Sequence, residues 1–501
     1  YKDGVVYAPG TVIISAGGEV TDLKKVVEPV LQPNFDSTLL YIDLSDGAFN
    51  LGGSSFAQIV GKVGTSAPTV SDSDRFARTF NMVQALIEEG KILAGHDVSA
   101  GGLITALLEM TFAQVDLGIA ADLKNIQNAD DVSVFFSEQP ALVLQIANED
   151  LEDVANLFDD IDASYVEIGS PIGEPILAIQ TNTQSYLLDI ASLRDTWYKT
   201  SYLLDAKQSG EDLAKQRFDN YKNQPLSFTF PEGFEGQYAA LGLDPDRKEK
   251  TGVKAAIIRE KGVNGDREMA YAMHLAGFDV KDVHMTDLIS GAEDLSDVNF
   301  IAFVGGFSNS DVLGSAKGWA GAFLYNEKAK LALDNFYARE DTISLGICNG
   351  CQLMGELGLL YPEHEVHPKL DHNIAHKFES GFVNVTIPKN NSVMLSGLAG
   401  SRLGILVAHG EGRFNLPQAE GHYHVIAKYS HEAYPASPNG SDYHVAGVAS
   451  KDGRHLAIMP HFERSVFPWN WGNYSSDHRS DVLSPWIKAF VAAKDWVAAR
   501  G

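Results

Sequence analysis

Apolar and polar positions along the chain fall into two regimes. Up to about Ala191, short runs rich in β-branched and aromatic residues alternate with a few longer amphipathic stretches. TVIISAGGEV, TLLYIDL, VSVFFSEQ, ALVLQIAN and PILAIQ predict strands. RFARTFNMVQALIEEG and GGLITALLEMTFAQ carry apolar residues three and four apart, which predicts helices. Together they describe an α+β domain over 1–190, its helices packed against a mixed sheet. Residues 191–250 read as a connector. SLRDTWYKTSYLLDAKQSGEDLAKQRFDNYKNQ is polar and helical, and QPLSFTFPEGFEGQ is rich in turn formers.

At Val253 the second regime begins. VKAAIIR, FDVKDV, NFIAFV and TISLGI predict strands, interspersed with the helices GDREMAYAMHLAG, NEKAKLALDNFYA and NGCQLMGELG. Such alternation predicts a parallel, doubly wound α/β sheet for 251–501. GILVAHG, YHVIAKY and HLAIMPH add strands to it.

Length and composition narrow the function classes. A chain of 501 residues has room for about two to four domains, each with its own core. Its net charge of −27 excludes a nucleic acid or an anionic membrane held by bulk electrostatics. No apolar run is long enough to span a bilayer, and the start YKDGVVYAPG resembles no signal peptide. Tyr1 stands where a Met would begin a complete chain, so a piece of a longer protein is expected. The two cysteines exclude a disulfide-stapled scaffold. Both fall in one seven-residue stretch, which favours a reduced, cytoplasmic enzyme.

That stretch is Gly346-Ile347-Cys348-Asn349-Gly350-Cys351-Gln352, between a predicted strand and a predicted helix. Small residues two before and two after Cys348 permit the tight turn of a nucleophile elbow. A helix beginning there sets a positive dipole end and free N–H groups beside the sulfur. A cysteine nucleophile needs a base, and the base an orienting group. Met459-Pro460-His461-Phe462-Glu463-Arg464 follows the strand HLAIMP. In extended chain His461 and Glu463 face the same side, so the carboxylate can fix the imidazole. Backbone N–H groups of Asn349 and of the Gly305-Gly306-Phe307 turn, through Gly306 and Phe307, are candidates for an oxyanion hole. Cys351, one turn further on, reads as a small buried residue.

GICNGCQ with PHFER resembles the class I, triad-type glutamine amidotransferases, whose nucleophile motif is G-x-C-x-G-x-Q. The likeness is closest to the large, single-chain formylglycinamide ribonucleotide amidotransferases. It runs over nearly all of 251–501, through REKGVNGDREMA, GGFSNSDVLGSAKGWA, HGEGR and YPASPNGS. It implies Cys348 as nucleophile, His461 as base, Glu463 as its orienting partner and Gln352 as part of the glutamine pocket. The chain departs from that pattern at Asn309-Ser310, where the family often has Tyr-Gly, at Phe462 and at Gly381.

In the first regime Gly95-His96-Asp97-Val98-Ser99-Ala100-Gly101-Gly102 precedes a predicted helix. An acidic residue beside a glycine-rich helix start suits a cation-bridged phosphate. The same family carries HDxSxGG in its second module, which resembles the C-terminal domain of aminoimidazole ribonucleotide synthetase. That likeness implies Mg2+ on Asp97 and an adenine nucleotide, ATP or ADP, near Ser99. It also implies partners: the family's N-terminal domains, absent from this chain, with glutamine, formylglycinamide ribonucleotide and ATP as substrates of the complete enzyme. Two alternatives to a purine-synthesis ligase stand beside this: a thiol redox protein using Cys348 and Cys351 as C-x-x-C, or the glutaminase of another synthetase. The irregular spacing of His364, His367, His372 and His376 argues against a metal site there.

Overall fold

The computed structural model describes residues 4, 13–45, 48–126 and 129–500. The chain divides into two units, Tyr1–Lys199 and Thr200–Gly501. The polar helical stretch begins as Ile190–Ser209, which runs through that division, and continues as Glu211–Asn220. Residues 200–250 thus fall within the second unit.

The first unit holds a sheet of β1 (Ser37–Asp43), β2 (Ile92–Val98), β3 (Gly118–Asp122), β4 (Ala141–Ala147), β5 (Ser164–Ile172), β6 (Ile176–Gln180) and β7 (Ser185–Asp189). Their order is β2-β4-β1-β5-β3-β6-β7, antiparallel throughout except for β3 with β6. The unbroken apolar run of β1 has a two-sided cause. Leu39 and Tyr41 face a core with Leu103, Leu107 and Met110 of the helix Gly102–Phe112. Leu40 and Ile42 face the opposite core with Val83, Leu86, Val154 and Phe158. A strand buried on both faces shows no polar alternation.

Two strand expectations fail here. VSVFFSEQ forms the helix Asp131–Phe136, because the Asp130 side chain accepts from Val132 N and Ser133 N and starts a helical turn. Its β-branched and aromatic composition is overridden by that cap and by burial of Val134 and Phe135. In TVIISAGGEV, Ile13–Val20 is exposed and irregular, while Thr11 and Val12 lie outside the described residues.

The second unit contains β8 (Lys254–Arg259), β9 (Asp279–His284), β10 (Phe300–Phe303), β11 (Ile343–Ile347), β12 (Lys369–Asp371), β13 (Glu379–Thr386), β14 (Arg402–His409), β15 (Arg413–Asn415), β16 (His424–Tyr429), β17 (Val445–Ala449) and β18 (His455–Ile458). Nine form one sheet, ordered β14-β13-β16-β17-β18-β11-β10-β8-β9, and β12 pairs with β15 apart. The five strands from β18 to β9 are mutually parallel, as the alternating pattern requires. The other four join antiparallel. No α-helix stands between Glu356 and Trp486 among the described residues, so those strands lack the crossovers that parallel pairing needs.

Register sets where each of these strands ends. Phe303 lies opposite Gly346, and Ile347 opposite Ile458. The segments leaving β10, β11 and β18 therefore emerge side by side at the carboxyl edge, where doubly wound sheets hold their ligands.

The crossing of β10 and the helix Asn349–Glu356 admits no side chain at Gly350, where a Cβ would stand 2.1 Å from Phe303 O. Gly350→Ala should lower stability by about 1–3 kcal/mol, the usual range for overpacking, read as an earlier denaturant midpoint for the second unit. An unchanged midpoint would contradict this packing.

Candidate active site

Cys348 sits between β11 and the helix Asn349–Glu356 with φ 53° and ψ −108°. A non-glycine residue there is strained by roughly 1–3 kcal/mol and persists only when its surroundings hold it. Its N–H donates to Ile458 O of β18 (3.0 Å), and its own carbonyl accepts from Gln352 N (3.0 Å). The glycines of the motif answer to the same crowding. A Cβ on Gly346 would come within 2.6 Å of Gly350 O and Met354 Sδ. Sγ lies 3.6 Å from Ala408 O on β14.

His461, three residues beyond β18, is 1% exposed, and Glu463 is 2% exposed. The His461 N–H donates to Leu406 O (2.8 Å) and its carbonyl accepts from Ser465 Oγ (3.0 Å), so the ring has little freedom. Nδ1 meets Glu463 Oε1 at 2.6 Å. Gly305, leaving β10, makes room for both partners. A Cβ there would be 2.7 Å from His461 Cε1 and 3.3 Å from Cys348 Cβ. Sulfur, imidazole and carboxylate are thus brought together.

Burial works against a charged ring, but attraction to Glu463 and Cys348, with hydrogen bonds to both, pushes His461 up to about 10. At neutral pH the ring carries a proton and can donate it.

The expected oxyanion donors differ among themselves. Phe307 N–H is held by Gly262 O at 3.0 Å, and Asn264 N donates to Gly305 O at 2.8 Å, forming a bridge between 262–264 and 305–307. Gly306 lies at its non-hydrogen-bonded position, so its N–H is left to other partners. Asn349 N belongs to the first helical turn, whose N–H groups find no helical acceptor. The Asn349 side chain ties the same turn down, accepting from Ser308 N (3.1 Å).

Gln352 is 5% exposed and used at both ends. Nε2 donates to Glu411 O (2.6 Å) and Oε1 accepts from Asn349 Nδ2 (2.9 Å). It braces a wall of the cavity. That cavity, about 130 Å³, is lined by Cys348, His461, Gln352, Asp311, His409 and Phe378 among others. Asp311, Ser315, Phe378 and Arg464 of the lining were not singled out by sequence reasoning, although GGFSNSDVLGSAKGWA holds the first two and PHFER ends in Arg464. Cys351 is fully buried, which pushes its thiol up, and both cysteines are free.

In the first unit, Asp97 is the last residue but one of β2, with its side chain 71% exposed, 3.7 Å from His96 Nδ1. Ser99 is exposed. Gly101 (φ 90°) and Gly102 (φ 75°) start the following helix. Glu138 Oε1 accepts from Gly101 N (2.9 Å) and Ser55 N (2.7 Å), so a carboxylate of the chain already takes those N–H groups. Among the described residues no three His, Cys, Asp or Glu side chains cluster to hold a metal ion, the four histidines of 364–376 included. Asp97 offers one hard oxygen donor, a fit for part of a Mg2+ site rather than a whole one.

Residues 252–497 match the CobB/CobQ-like glutamine amidotransferase domain, and residues 42–181 the AIR synthase related protein, C-terminal domain. The second unit is thus a glutamine amidotransferase domain, preceded by a domain of the AIR synthase type. Relatives carry a more particular name. The chain is 40% identical to the probable phosphoribosylformylglycinamidine synthase, chloroplastic/mitochondrial, of Arabidopsis thaliana, over 99% of this chain and 36% of that one. It is 37% identical to the phosphoribosylformylglycinamidine synthase of Homo sapiens, over 98% of this chain and 39% of that one. Among solved structures it is similar to PurLQS from Thermotoga maritima, at 25% identity and a TM-score of 0.39, over 48% of this chain and 98% of that one. The chain is a relative of the phosphoribosylformylglycinamidine synthases and spans well under half of their length. Among the described residues no helix is long and apolar enough to cross a membrane.

The His461 value fixes a sign for stability. Raised from 6.5 to about 10 in the fold, the ring contributes stability fully below pH 6.5 and loses it as pH climbs through 10. Denaturant unfolding of the wild type at pH 6, 8 and 10 should show this decline, and His461→Gln should flatten it. Equal slopes in both proteins would contradict the pairing.

Proposed function

We propose that the second unit hydrolyses glutamine through Cys348, His461 and Glu463. The observation that carries the reading is a strained cysteine beside a buried histidine–glutamate pair, at the ends of three adjacent parallel strands, in a glutamine amidotransferase domain. Sγ of Cys348 attacks the carboxamide carbon, and the oxyanion faces the N–H groups of Asn349 and Gly306. Phe307 N–H joins them once it leaves Gly262 O. His461 gives its proton to the departing ammonia, and the thioester remains. The ring then takes a proton from water, whose oxygen releases glutamate. Glu463 holds the tautomer and stabilises the imidazolium. Gln352 keeps the Glu411 segment in place around the bound glutamine.

In the complete enzyme this ammonia would serve the ATP-dependent conversion of formylglycinamide ribonucleotide to formylglycinamidine ribonucleotide, with glutamate, ADP and phosphate as the other products. The relatives' name and the AIR synthase type domain support that assignment. Asp97 would contribute a hard anionic ligand to Mg2+, and Ser99 a contact to the nucleotide. The remaining ligands would come from the domains beyond this chain. A reducing compartment such as the cytoplasm suits the two free thiols. The dithiol alternative is disfavoured, since the buried Cys351 thiol is a poor exchange partner.

Cys348→Ala should abolish release of ammonia from glutamine while Cys351→Ala leaves most of it. Comparable losses from both would favour the dithiol reading. For the nucleotide site, calorimetry should find ADP with Mg2+ weak or undetectable on this chain and tight once the remaining domains are supplied. Asp97→Asn should weaken that restored site, and equal affinity in the two proteins would leave the segment a structural turn.

A further inference from the structure

We propose that Asp311 and Glu411 receive the α-ammonium group of the glutamine, so that the cavity selects a free amino acid over an amide lacking that charge. This rests on the glutaminase reading above. Asp311 lines the cavity and follows Asn309 and Ser310, and all three non-glycine residues have positive φ (52°, 57° and 48°). Such a run is held only by its surroundings. Asn309 N donates to Lys261 O (2.7 Å), and Asn349 Nδ2 reaches Asp311 Oδ1 (3.4 Å). The two carboxylates share Ser315: its Oγ lies 3.4 Å from Asp311 Oδ2, and its N–H 3.4 Å from Glu411 Oε2.

Among the described residues no lysine or arginine forms an ion pair with either carboxylate, and Glu411 has only His372 at 4.0 Å. Burial, with Glu411 adding to it, raises the Asp311 carboxyl above its usual range. Like charges left together at a partly buried site favour any cation placed between them. Arg464, also in the lining, is already taken up by Asn264 Oδ1 (2.6 Å) and Glu268 (3.2 Å).

An independent observation comes from His409, which is 2% exposed and lines the same cavity. Its Nδ1 faces Asn373 Oδ1 (3.2 Å), and the amide nitrogen of Asn373 donates to His409 O and Lys377 O. Nδ1 must therefore carry the hydrogen. Nε2 is left a bare acceptor that meets no donor of the chain. Burial and the proximity of His461 push this ring down to about 4, so it stays neutral. One anionic acceptor, Asp311, and one neutral acceptor, His409 Nε2, in the lining, with the Glu411 carboxylate against the lining residue Ser315, call for a ligand bringing cationic N–H groups. A primary ammonium supplies three.

The test compares two alkylating probes on the whole chain. 6-Diazo-5-oxo-L-norleucine carries the α-ammonium of glutamine and alkylates a thiol with loss of N2, whereas iodoacetamide carries no charge. In Asp311→Asn, Glu411→Gln and the double variant, inactivation by the diazo probe should slow by about tenfold or more, as for loss of a charge-assisted hydrogen bond. Labelling of Cys348 by iodoacetamide should stay within about twofold of wild type, since no bond to the probe is lost. Equal rates with both probes in variant and wild type would overturn the proposal. So would parallel loss with both, which marks a purely structural role. A wild type labelled by iodoacetamide but inert to the diazo probe would instead sink the glutaminase reading itself.

Discussion

Lateral register among three parallel strands is the constraint on which the site depends. β10, β11 and β18 are buried along their whole length, and their pairing fixes where each following loop begins. A shift of one residue in β11 would turn its side chains to the opposite faces and carry Cys348 away from His461. The glycines around Cys348 obey this geometry. With the strand end fixed and a helix packed across β10, only hydrogen fits at 346 and 350, and Cys348 takes up the strain.

A second consequence is electrostatic. The same convergence that brings His461 to Cys348 removes the ring from water, which alone would hold it neutral. Glu463, two residues on in a turn rather than the extended chain expected, reverses that outcome because it is buried with the ring and bonds it directly. His409 shows the contrast within one cavity. It is as deeply buried, yet its ring faces an amide oxygen and a second histidine rather than a carboxylate, and it is driven the opposite way.

What the sequence made legible was whatever a local pattern carries. The elbow glycines, the His-x-Glu pair and each strand or helix behind the parallel sheet are patterns among neighbouring residues. The helix Asp131–Phe136 was hidden because one capping aspartate outweighed five residues of strand-like composition. In the antiparallel half of the second sheet β14 and β16 showed as strands, β13 and β17 did not, and the pairing did not show at all, since it depends on distant partners. Asp311 and Glu411 lie 100 positions apart in sequence, and nothing local announces that Ser315 joins them. Glu138 was equally silent, though it holds the starts of two helices that follow glycine-containing turns in the first unit.

The segment 260–265 connects these features to activity. It carries Gly262, whose carbonyl holds Phe307 N–H, and Asn264, whose side chain accepts from Arg464 next to Glu463. Phe307 has a single N–H, that of the 306–307 peptide, and while Gly262 O holds it that donor is not available to an oxyanion. Gly306, at φ 133°, is the residue best able to turn that peptide, since no Cβ opposes the change. On the glutaminase reading, the resting arrangement has the nucleophile, base and carboxylate in place while one oxyanion donor is engaged elsewhere. Reaction then requires exchange of one backbone hydrogen bond for another. The strain of Asn309, Ser310 and Asp311, just downstream, lies in the same turn and would bear on how readily that exchange occurs. On both proposals, substrate binding at Asp311 and donor release at Phe307 would act on a single short loop.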